Sequence, residues 1–271
     1  MKAEQAKKLA DNALDTLAAA LKAGKSESLT AYLAAMGRFH AYSWGNVMLI
    51  VSQKPDATHV AGFQTWKSLG RFVKKGEHGI VIIAPMLIKA KERAADSGEE
   101  QKLLRFKAVY VFDVSQTDGE PLAEFAQVSG DPREHTDRLK DFVASRGITL
   151  EYAEHLAGAK GRSFGGRIQL LSGMTPAEEF SVLAHEVAHE LLHHGERRSE
   201  TSKMIRETEA EAVAFVVSQA IGLEVGTHAA DYIQLYDGNT DTLAESLEFI
   251  QKTAATIIAA VAADESLAEA A

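Results

Sequence analysis

Apolar residues recur every three to four positions over some stretches of the chain and alternate or cluster over shorter ones. The first kind of stretch predicts helices at residues 3–22, 28–37, 43–53, 65–69, 132–146, 175–194, 202–221 and 240–263. The second kind, rich in β-branched residues and bounded by turn residues, predicts strands at residues 59–61, 106–114, 148–152 and 167–171, and a strand, a basic turn and a second strand within residues 71–85. Residues 158–166, rich in Gly, Lys and Arg, predict a turn, which makes residues 167–171 the returning strand. Helices and strands follow one another without a strict β-α repeat, so we expect an α+β protein.

A short polar segment separates two parts of this pattern. Residues 129–135 read Ser-Gly-Asp-Pro-Arg-Glu-His and make the best linker in the chain. We therefore expect an N-terminal domain at residues 1–128 and a C-terminal domain at residues 129–271.

Composition narrows the class of protein. Of the 271 residues, 46% are hydrophobic and 25% are charged, which is typical of a globular protein. There is no cysteine, which excludes disulfides and cysteine-ligated zinc. The N-terminal segment lacks the apolar core of a signal peptide, and no apolar run reaches the length of a membrane span. We expect a cytoplasmic protein that does not associate with a membrane.

Charge is distributed unevenly along the chain. The net charge is −9, yet residues 1–95 carry 14 Lys and Arg against 7 Asp and Glu, whereas the remainder carries 15 against 31. A basic first part joined to an acidic second part indicates two different surfaces, and the first is of the kind that binds a phosphate backbone.

The helix predicted at residues 175–194 has a strong N-terminal signal. Thr175 is a favourable N-cap, Pro176 suits the first helical position, and Glu178 completes a capping box. An apolar stripe then follows at helical spacing: Phe180, Leu183, Ala184, Val187, Ala188, Leu191 and Leu192.

Within this helix lies an H-E-x-x-H motif, His185-Glu186-Val187-Ala188-His189. On a helix the two histidines lie one turn apart, about 6 Å between Cβ atoms, and both can bind one Zn²⁺ with bonds of about 2.1 Å. Glu186 is offset by about 100° around the helix, so it borders the metal without binding it. There it can accept a proton from a water that the metal acidifies, which makes it the predicted catalytic residue.

A zinc centre of this kind needs a third protein ligand. His193 lies about 12 Å of helical rise from His185, too far for both to bind one ion, so we expect it beside the centre or on the surface. The next predicted helix offers Glu207, Glu209 and Glu211. Glu211 is flanked by apolar residues and therefore needs a charge partner, which favours it as the ligand, with Glu207 as the alternative.

These motifs resemble a known family. Residues 185–193, followed by residues 209–215 (Glu-Ala-Glu-Ala-Val-Ala-Phe), are similar to the ImmA/IrrE-type metallopeptidase domain. The resemblance implies that the third ligand is the glutamate of the E-x-E-A stretch, which is Glu211.

A second cluster of functional residue types lies in the basic part. It combines cations with aromatic rings, the combination that binds single-stranded nucleic acid through its backbone and by base stacking. The candidates are Trp66, Lys67, Arg71, Lys74 and Lys75, with Phe63, Phe72 and His78 nearby. The alternative is that Trp66 and Phe72 belong to the core and that the lysines only solubilise a turn.

Three separated segments in this part resemble the N-terminal domain of ArdC antirestriction proteins: residues 42–49, 62–70 and 73–79. The first segment, Tyr-Ser-Trp-Gly-Asn-Val-Met-Leu, adds Trp44 and Asn46 to the DNA-binding candidates. The resemblance implies a small α+β domain that binds single-stranded DNA, followed by a zincin-like metallopeptidase domain.

The predicted function is that of a zinc-dependent metallopeptidase that binds single-stranded DNA and protects incoming plasmid or mobile-element DNA from restriction. Zn²⁺ is the expected cofactor, although a site with a carboxylate also accepts Mn²⁺ or another divalent ion. The expected partners are single-stranded DNA and an unidentified protein substrate. Two alternatives stay open: a regulatory metallopeptidase that cleaves a repressor, and a DNA-binding shield whose metal is not catalytic.

Overall fold

The computed structural model describes residues 3–23, 25–89, 102–120, 132–193, 195–223 and 240–262. The chain forms two compact units. The first comprises Met1–Ala13 and Met48–Leu122, and the second comprises Leu14–Val47 and Ala123–Ala271.

The elements of the described residues follow in chain order. The helices are α1 Ala3–Lys22, α2 Ser26–Arg38, α3 Trp44–Gln53, α4 Phe63–Ser68, α5 Arg133–Ser145, α6 Pro176–Leu192, α7 Glu196–Glu200, α8 Lys203–Ala220 and α9 Thr240–Val261. The strands are β1 Val60–Gly62, β2 Arg71–Val73, β3 Ile80–Lys89, β4 Lys102–Asp113, β5 Thr117–Gly119, β6 Thr149–Ala153, β7 Gly161–Ser163 and β8 Arg167–Leu171.

The first unit is built on the antiparallel sheet β1-β4-β3 and the small β2-β5 pair. The side chains of Ile80, Ile82 and Val111 are buried, which places part of the core on one face of the longer sheet. Trp66 on α4 is also buried, and its indole Nε1–H donates to the carbonyl of Phe112 at 2.8 Å. The sheet therefore uses β-branched residues and one tryptophan as its core.

One buried carboxylate, that of Asp113, organises the end of β4. It accepts hydrogen bonds from the backbone N–H groups of Thr58 at 2.8 Å, His59 at 3.1 Å and Ser115 at 3.0 Å. Gln116 completes a capping box by accepting from the Asp113 backbone at 2.9 Å. Burial raises the pKa of Asp113, but these hydrogen bonds outweigh burial and leave the pKa below its usual value.

The second unit combines a short sheet with packed helices. In the sheet order β6-β8-β7, β6 runs parallel to β8 and β7 runs antiparallel to it. Helix α6 buries the predicted apolar stripe, including Phe180, Leu183 and Val187, and contacts both α8 and β7. This packing fixes the helix that carries the H-E-x-x-H motif.

Helix α2 belongs to this second unit because it packs tightly on α8. A Cβ atom added at Gly37 would lie 2.9 Å from the carbonyl oxygen of Val216, a distance that leaves no room for a side chain. The second unit thus includes residues 14–47, while the predicted division after residue 128 falls outside the described residues and stays a prediction.

The α+β class is confirmed, and the predicted helices and strands form at close to their expected bounds. Two local expectations differ. Residues 158–166 were predicted as a turn, but they include strand β7, which pairs with β8. In addition, β6 and β8 run parallel rather than as an outgoing and a returning strand.

Among the described residues, no helix has the combination of length and apolar character that a membrane span requires.

Replacing Asp113 by Asn should destabilise the protein by about 1–3 kcal/mol at pH 7, because a buried acceptor of three backbone hydrogen bonds loses its charge. A lowered pKa contributes stability above the unfolded-state pKa, and that stability is lost as pH falls through the folded-state pKa. Urea unfolding between pH 7 and pH 2 should therefore show a smaller loss of stability in the variant than in the wild type. The exposed Asp118 provides the control variant, Asp118→Asn, and equal pH profiles for the wild type and Asp113→Asn would contradict this account.

Candidate metal centre

The predicted cap of α6 is present. The Thr175 Oγ1 accepts from the Glu178 backbone at 3.4 Å, and the Glu178 carboxylate accepts from the Thr175 backbone at 3.1 Å. Lys160 adds an ion pair to Glu178 at 2.9 Å. The hydrogen bond from Lys160, followed by those from Thr175, lowers the pKa of Glu178 to about 2. The helix that carries the motif is thus fixed at its first turn.

Two turns further on, the imidazoles of His185 and His189 face each other. Their Nε2 atoms lie 3.1 Å apart, and both rings are largely buried. A carboxylate oxygen of Glu207, on α8, lies 3.7 Å from the His185 Nε2 and 3.6 Å from the His189 Nε2. The three side chains offer ligand atoms that all lie within 4.8 Å of one another.

This arrangement fits a divalent cation. Two ring nitrogens at 3.1 Å cannot both carry a proton between them, so at least one lone pair points into the space that the carboxylate also faces. Two imidazoles and one carboxylate form a donor set that zinc commonly adopts, and Mn²⁺ also accepts such ligands. The described part of the chain therefore contains a possible metal site formed by His185, His189 and Glu207.

The third residue of this site differs from the predicted Glu211. The Glu211 carboxylate lies 3.3 Å from the Nδ1 of His185, on the side of the ring opposite the three convergent atoms. Glu207 and Glu211 are one turn apart on α8, about 6 Å along its axis, so the position of α8 along α6 decides which of them faces both histidines. Histidine ligands commonly donate their other ring N–H to a carboxylate, and Glu211 is placed for that contact.

The two carboxylates change the protonation of His185 in the metal-free protein. Burial lowers the pKa of His185, but hydrogen bonds to Glu207 and Glu211 outweigh it and raise the pKa to about 9. The same contacts, first with His185 and then with His189, lower the pKa of Glu207. An anionic pocket of this kind attracts a cation, either a proton or a metal ion.

Glu186 is buried, with 6% of its surface exposed, and lies against strand β7. Burial raises the pKa of its carboxyl group. A Cβ atom added at Gly161 would lie 2.6 Å from the Oε1 of Glu186 and 2.7 Å from the Cγ1 of Val182. Gly161, which the sequence did not single out, is therefore required for this carboxylate and β7 to approach each other.

The next acidic residue, Glu190, fixes the turn between β7 and β8. Its carboxylate accepts from the Ser163 hydroxyl at 2.5 Å and from the backbone N–H groups of Gly165 at 2.9 Å and Gly166 at 2.6 Å. A buried carboxylate bound by three donors holds a glycine turn in one conformation. Helix α6 thereby positions both the two histidines of the possible metal site and the strand beside them.

The predicted DNA-binding residues fall into different environments. Trp66 is a core residue, because it is 2% exposed and its Nε1–H is bound to the Phe112 carbonyl; it presents no face on which a base could stack. The Arg71 guanidinium is bound to β5 and the residue after it: its Nε donates to the Thr117 hydroxyl at 2.8 Å, and its other nitrogens donate to the carbonyls of Thr117 and Glu120. Both side chains support the fold.

The remaining candidates are more accessible. Lys67 and Lys75 are exposed, and the Lys74 ammonium donates to the Ser115 carbonyl at 3.0 Å while staying partly exposed. Trp44 and Asn46 are half-buried and belong to the second unit. Lys74 and Lys75 thus form the basic turn that follows β2 in the first unit, and Lys67 lies on α4 of the same unit.

The sequence reasoning missed the exposed rings of Phe106 and Tyr110, whereas it named Phe63 and Phe72, and Phe72 is exposed rather than part of the core. Phe106 and Tyr110 alternate along β4 on one face and are 59% and 50% exposed, and Phe63 and Phe72 are 51% and 58% exposed. The alternation of residues 106, 108 and 110 could have indicated this face, but an aromatic residue at such a position is more commonly buried.

Comparison with known proteins agrees with the resemblance. Residues 7–112 match the family model of the N-terminal domain of the anti-restriction factor ArdC. The N-terminal part of the chain is similar to this domain. Over 93% of its length the chain superposes on the metal-free crystal structure of the antirestriction protein ArdC from plasmid R388, covering 96% of that chain with a TM-score of 0.56 at 20% identity. The Mn(II)-bound structure of the same protein gives a TM-score of 0.57 at 20% identity, with 95% of this chain and 99% of that chain covered.

A further relative is an uncharacterised protein of Bacillus anthracis, pXO2-81, which is 24% identical over 277 residues. The match covers 82% of this chain and 46% of the relative, so the chain spans about half the length of that protein.

Replacing Glu207 by Gln should weaken Zn²⁺ and Mn²⁺ binding more than replacing Glu211 by Gln. Loss of a hydrogen-bond partner behind a ligand typically costs about 10–100-fold in metal affinity, which is the range expected for Glu211→Gln. Glu207→Gln removes the only anionic oxygen close to both Nε2 atoms within the described residues and should exceed that range. Competition titration against a chromophoric chelator measures the metal affinity of both variants. A larger loss of affinity in Glu211→Gln than in Glu207→Gln would support Glu211 as the ligand.

Proposed function

We propose that this protein is a metallopeptidase that binds single-stranded DNA and protects incoming plasmid or mobile-element DNA from restriction. The observation that carries the proposal is the convergence of His185, His189 and Glu207 beside the buried carboxylate of Glu186. Three protein ligands leave a coordination position open for water, which is typical of a catalytic rather than a structural zinc site.

The proposed chemistry is the hydrolysis of a peptide bond. His185, His189 and Glu207 would hold the cation, which when bound would supply Lewis-acid polarisation of the scissile carbonyl and lower the pKa of water. Glu186 accepts a proton from the attacking water and later returns it to the leaving amine. Zn²⁺ is the proposed ion because two imidazoles and one carboxylate form its common catalytic donor set. The Mn(II)-bound R388 protein supports Mn²⁺ as the alternative.

The position of β7 supports a peptide as the substrate. Strand β7 lies at the end of the β6-β8-β7 order, and Gly161 brings its backbone next to Glu186. An extended peptide can add to such an edge through main-chain hydrogen bonds. A peptide bound in this way would pass close to the carboxylate.

The DNA-binding part of the proposal has its support in the first unit. Exposed Lys67 and Lys75 and the partly exposed Lys74 provide cations that can follow a phosphate backbone. The exposed rings of Phe106 and Tyr110 take the stacking role that was predicted for Trp66.

The Glu186→Gln variant separates the proposed function from its two alternatives. General-base catalysis contributes about 10²–10⁴-fold, so hydrolysis of an unstructured protein such as labelled casein should fall by that factor while metal binding is retained.

Transfer of unmodified plasmid DNA into a restricting host, compared with a non-restricting host, measures protection. Protection that is lost with hydrolysis supports a peptidase-dependent role, and full protection by Glu186→Gln would favour the DNA-binding shield. The regulatory peptidase would be favoured by a third set of results. The wild type would cleave a repressor that Glu186→Gln does not cleave, and the wild type would give no protection.

Replacing Lys74 and Lys75 by Ala should weaken binding of single-stranded DNA. For single strands the logarithm of affinity changes with the logarithm of salt concentration by about −0.7 per phosphate neutralised, so losing two contacts should reduce the slope by about 1.4. Fluorescence anisotropy with labelled single-stranded and duplex DNA at several salt concentrations measures this. The control is Lys203→Ala with Lys252→Ala, which removes the same charge from exposed sites of the second unit. An equal slope in the two double variants would contradict a role for the basic turn.

A further inference from the structure

A line of buried polar groups leads from the candidate metal centre through the helices of the second unit. The Nδ1 of His189 lies 2.9 Å from the Nδ1 of His193, and the Nε2 of His193 lies 3.0 Å from a carboxylate oxygen of Glu209. The other oxygen of Glu209 accepts from Arg197 at 2.5 Å and from the Ser246 hydroxyl at 2.8 Å. The line thus runs from α6 through α8 to α9.

These groups are isolated from water. The side chains of His193 and Glu209 are 0% exposed, and that of Arg197 is 14% exposed. The Arg197 guanidinium lies 3.5 Å from the centre of the Phe249 ring and forms an ion pair with Glu245 at 3.2 Å. A buried carboxylate needs a charge partner and hydrogen bonds, and Glu209 has both.

The hydrogen-bond geometry limits where the protons can lie. Glu209 is paired with Arg197 and acts as an acceptor, so the Nε2 of His193 must donate to it. Only one proton fits between the two Nδ1 atoms at 2.9 Å. If His193 supplied that proton, the neutral His189 ring would carry its own proton on Nε2, where it could not bind a cation. If His189 supplies it, the Nε2 of His189 presents a lone pair toward His185 and Glu207.

We infer that His193 and Glu209 are positioning residues, which hold His189 in the one tautomer and ring orientation that can bind a metal ion. Ser246, and Phe249 beneath Arg197, extend this support to α9. The inference rests on the proposed metal site and adds to it the proton arrangement on which the affinity of His189 depends. A group that accepts a hydrogen bond from the second ring nitrogen of a metal-binding histidine orients the ring and increases the basicity of the nitrogen that binds the metal.

The first test uses the wild-type protein loaded with Zn²⁺. Long-range ¹H–¹⁵N correlation spectra distinguish the two neutral tautomers of each histidine. The expected result is a proton on Nδ1 of His189 and on Nε2 of His193. A proton on Nδ1 of His193 would overturn the inference whatever any variant does.

The second test compares variants. His193→Phe keeps a ring in the core but removes both hydrogen bonds, and Ser246→Ala removes one donor to Glu209. His193→Phe should weaken Zn²⁺ and Co²⁺ binding by about 10–100-fold and shift the visible spectrum of the Co²⁺-loaded protein. Ser246→Ala should produce a smaller change in the same direction, and it serves as the deciding variant if His193→Phe does not fold.

The matched control is Ser218→Ala, which removes a fully buried serine hydroxyl outside this line. It should leave metal affinity and the Co²⁺ spectrum unchanged. A second control, Leu243→Ala, lowers the melting temperature through α9 and separates lost stability from lost metal affinity.

The outcomes distinguish two failures. A wild type that binds none of Zn²⁺, Mn²⁺ and Co²⁺ overturns both the proposed metal site and this inference. A wild type that binds metal, with variants of unchanged affinity and spectrum, overturns the inference alone and leaves the metal site in place.

Discussion

The second unit depends on the burial of an ionised carboxylate between its helices. Glu209 has no contact with water, so its charge must be balanced by Arg197 and its lone pairs must be filled by His193 and Ser246. These contacts tie α6, α8 and α9 together with defined distances, whereas apolar packing alone would allow small shifts. The relative position of α6 and α8 in turn decides which glutamate meets the two histidines of the H-E-x-x-H motif.

Much of the centre could be predicted from the sequence. The capping box at Thr175 and the spacing of His185 and His189 are local properties of one helix, and local patterns are what a sequence displays most directly. The third residue could not be fixed, since Glu207 and Glu211 share one face of α8 and differ only by one turn along its axis. That choice depends on how one helix lies along another, and Glu209, then considered only as one acidic residue among three, is part of what determines it.

The fold and the proposed DNA-binding residues show a similar contrast between local and long-range information. The α+β class followed from periodicity, but the placement of α2 in the second unit depends on the close approach of Gly37 to α8, a long-range contact without a local signal. Likewise, Trp66 and Tyr110 are both aromatic residues in amphipathic stretches. Only the structure reveals that the indole is bound to the Phe112 carbonyl while the phenol ring faces solvent.

The interleaving of the two units has a consequence for the way this chain can be divided. A cut or a crossover near residue 128 would leave α2 on one fragment and its partner α8 on the other, although each fragment would look complete when aligned with relatives. Exchange of N-terminal parts between related proteins would then pair an α2 and an α8 that come from different proteins. A side chain in place of Gly37 would be enough to prevent their close contact. The two parts are therefore expected to be inherited as one piece, with neither available as a freely transferable module.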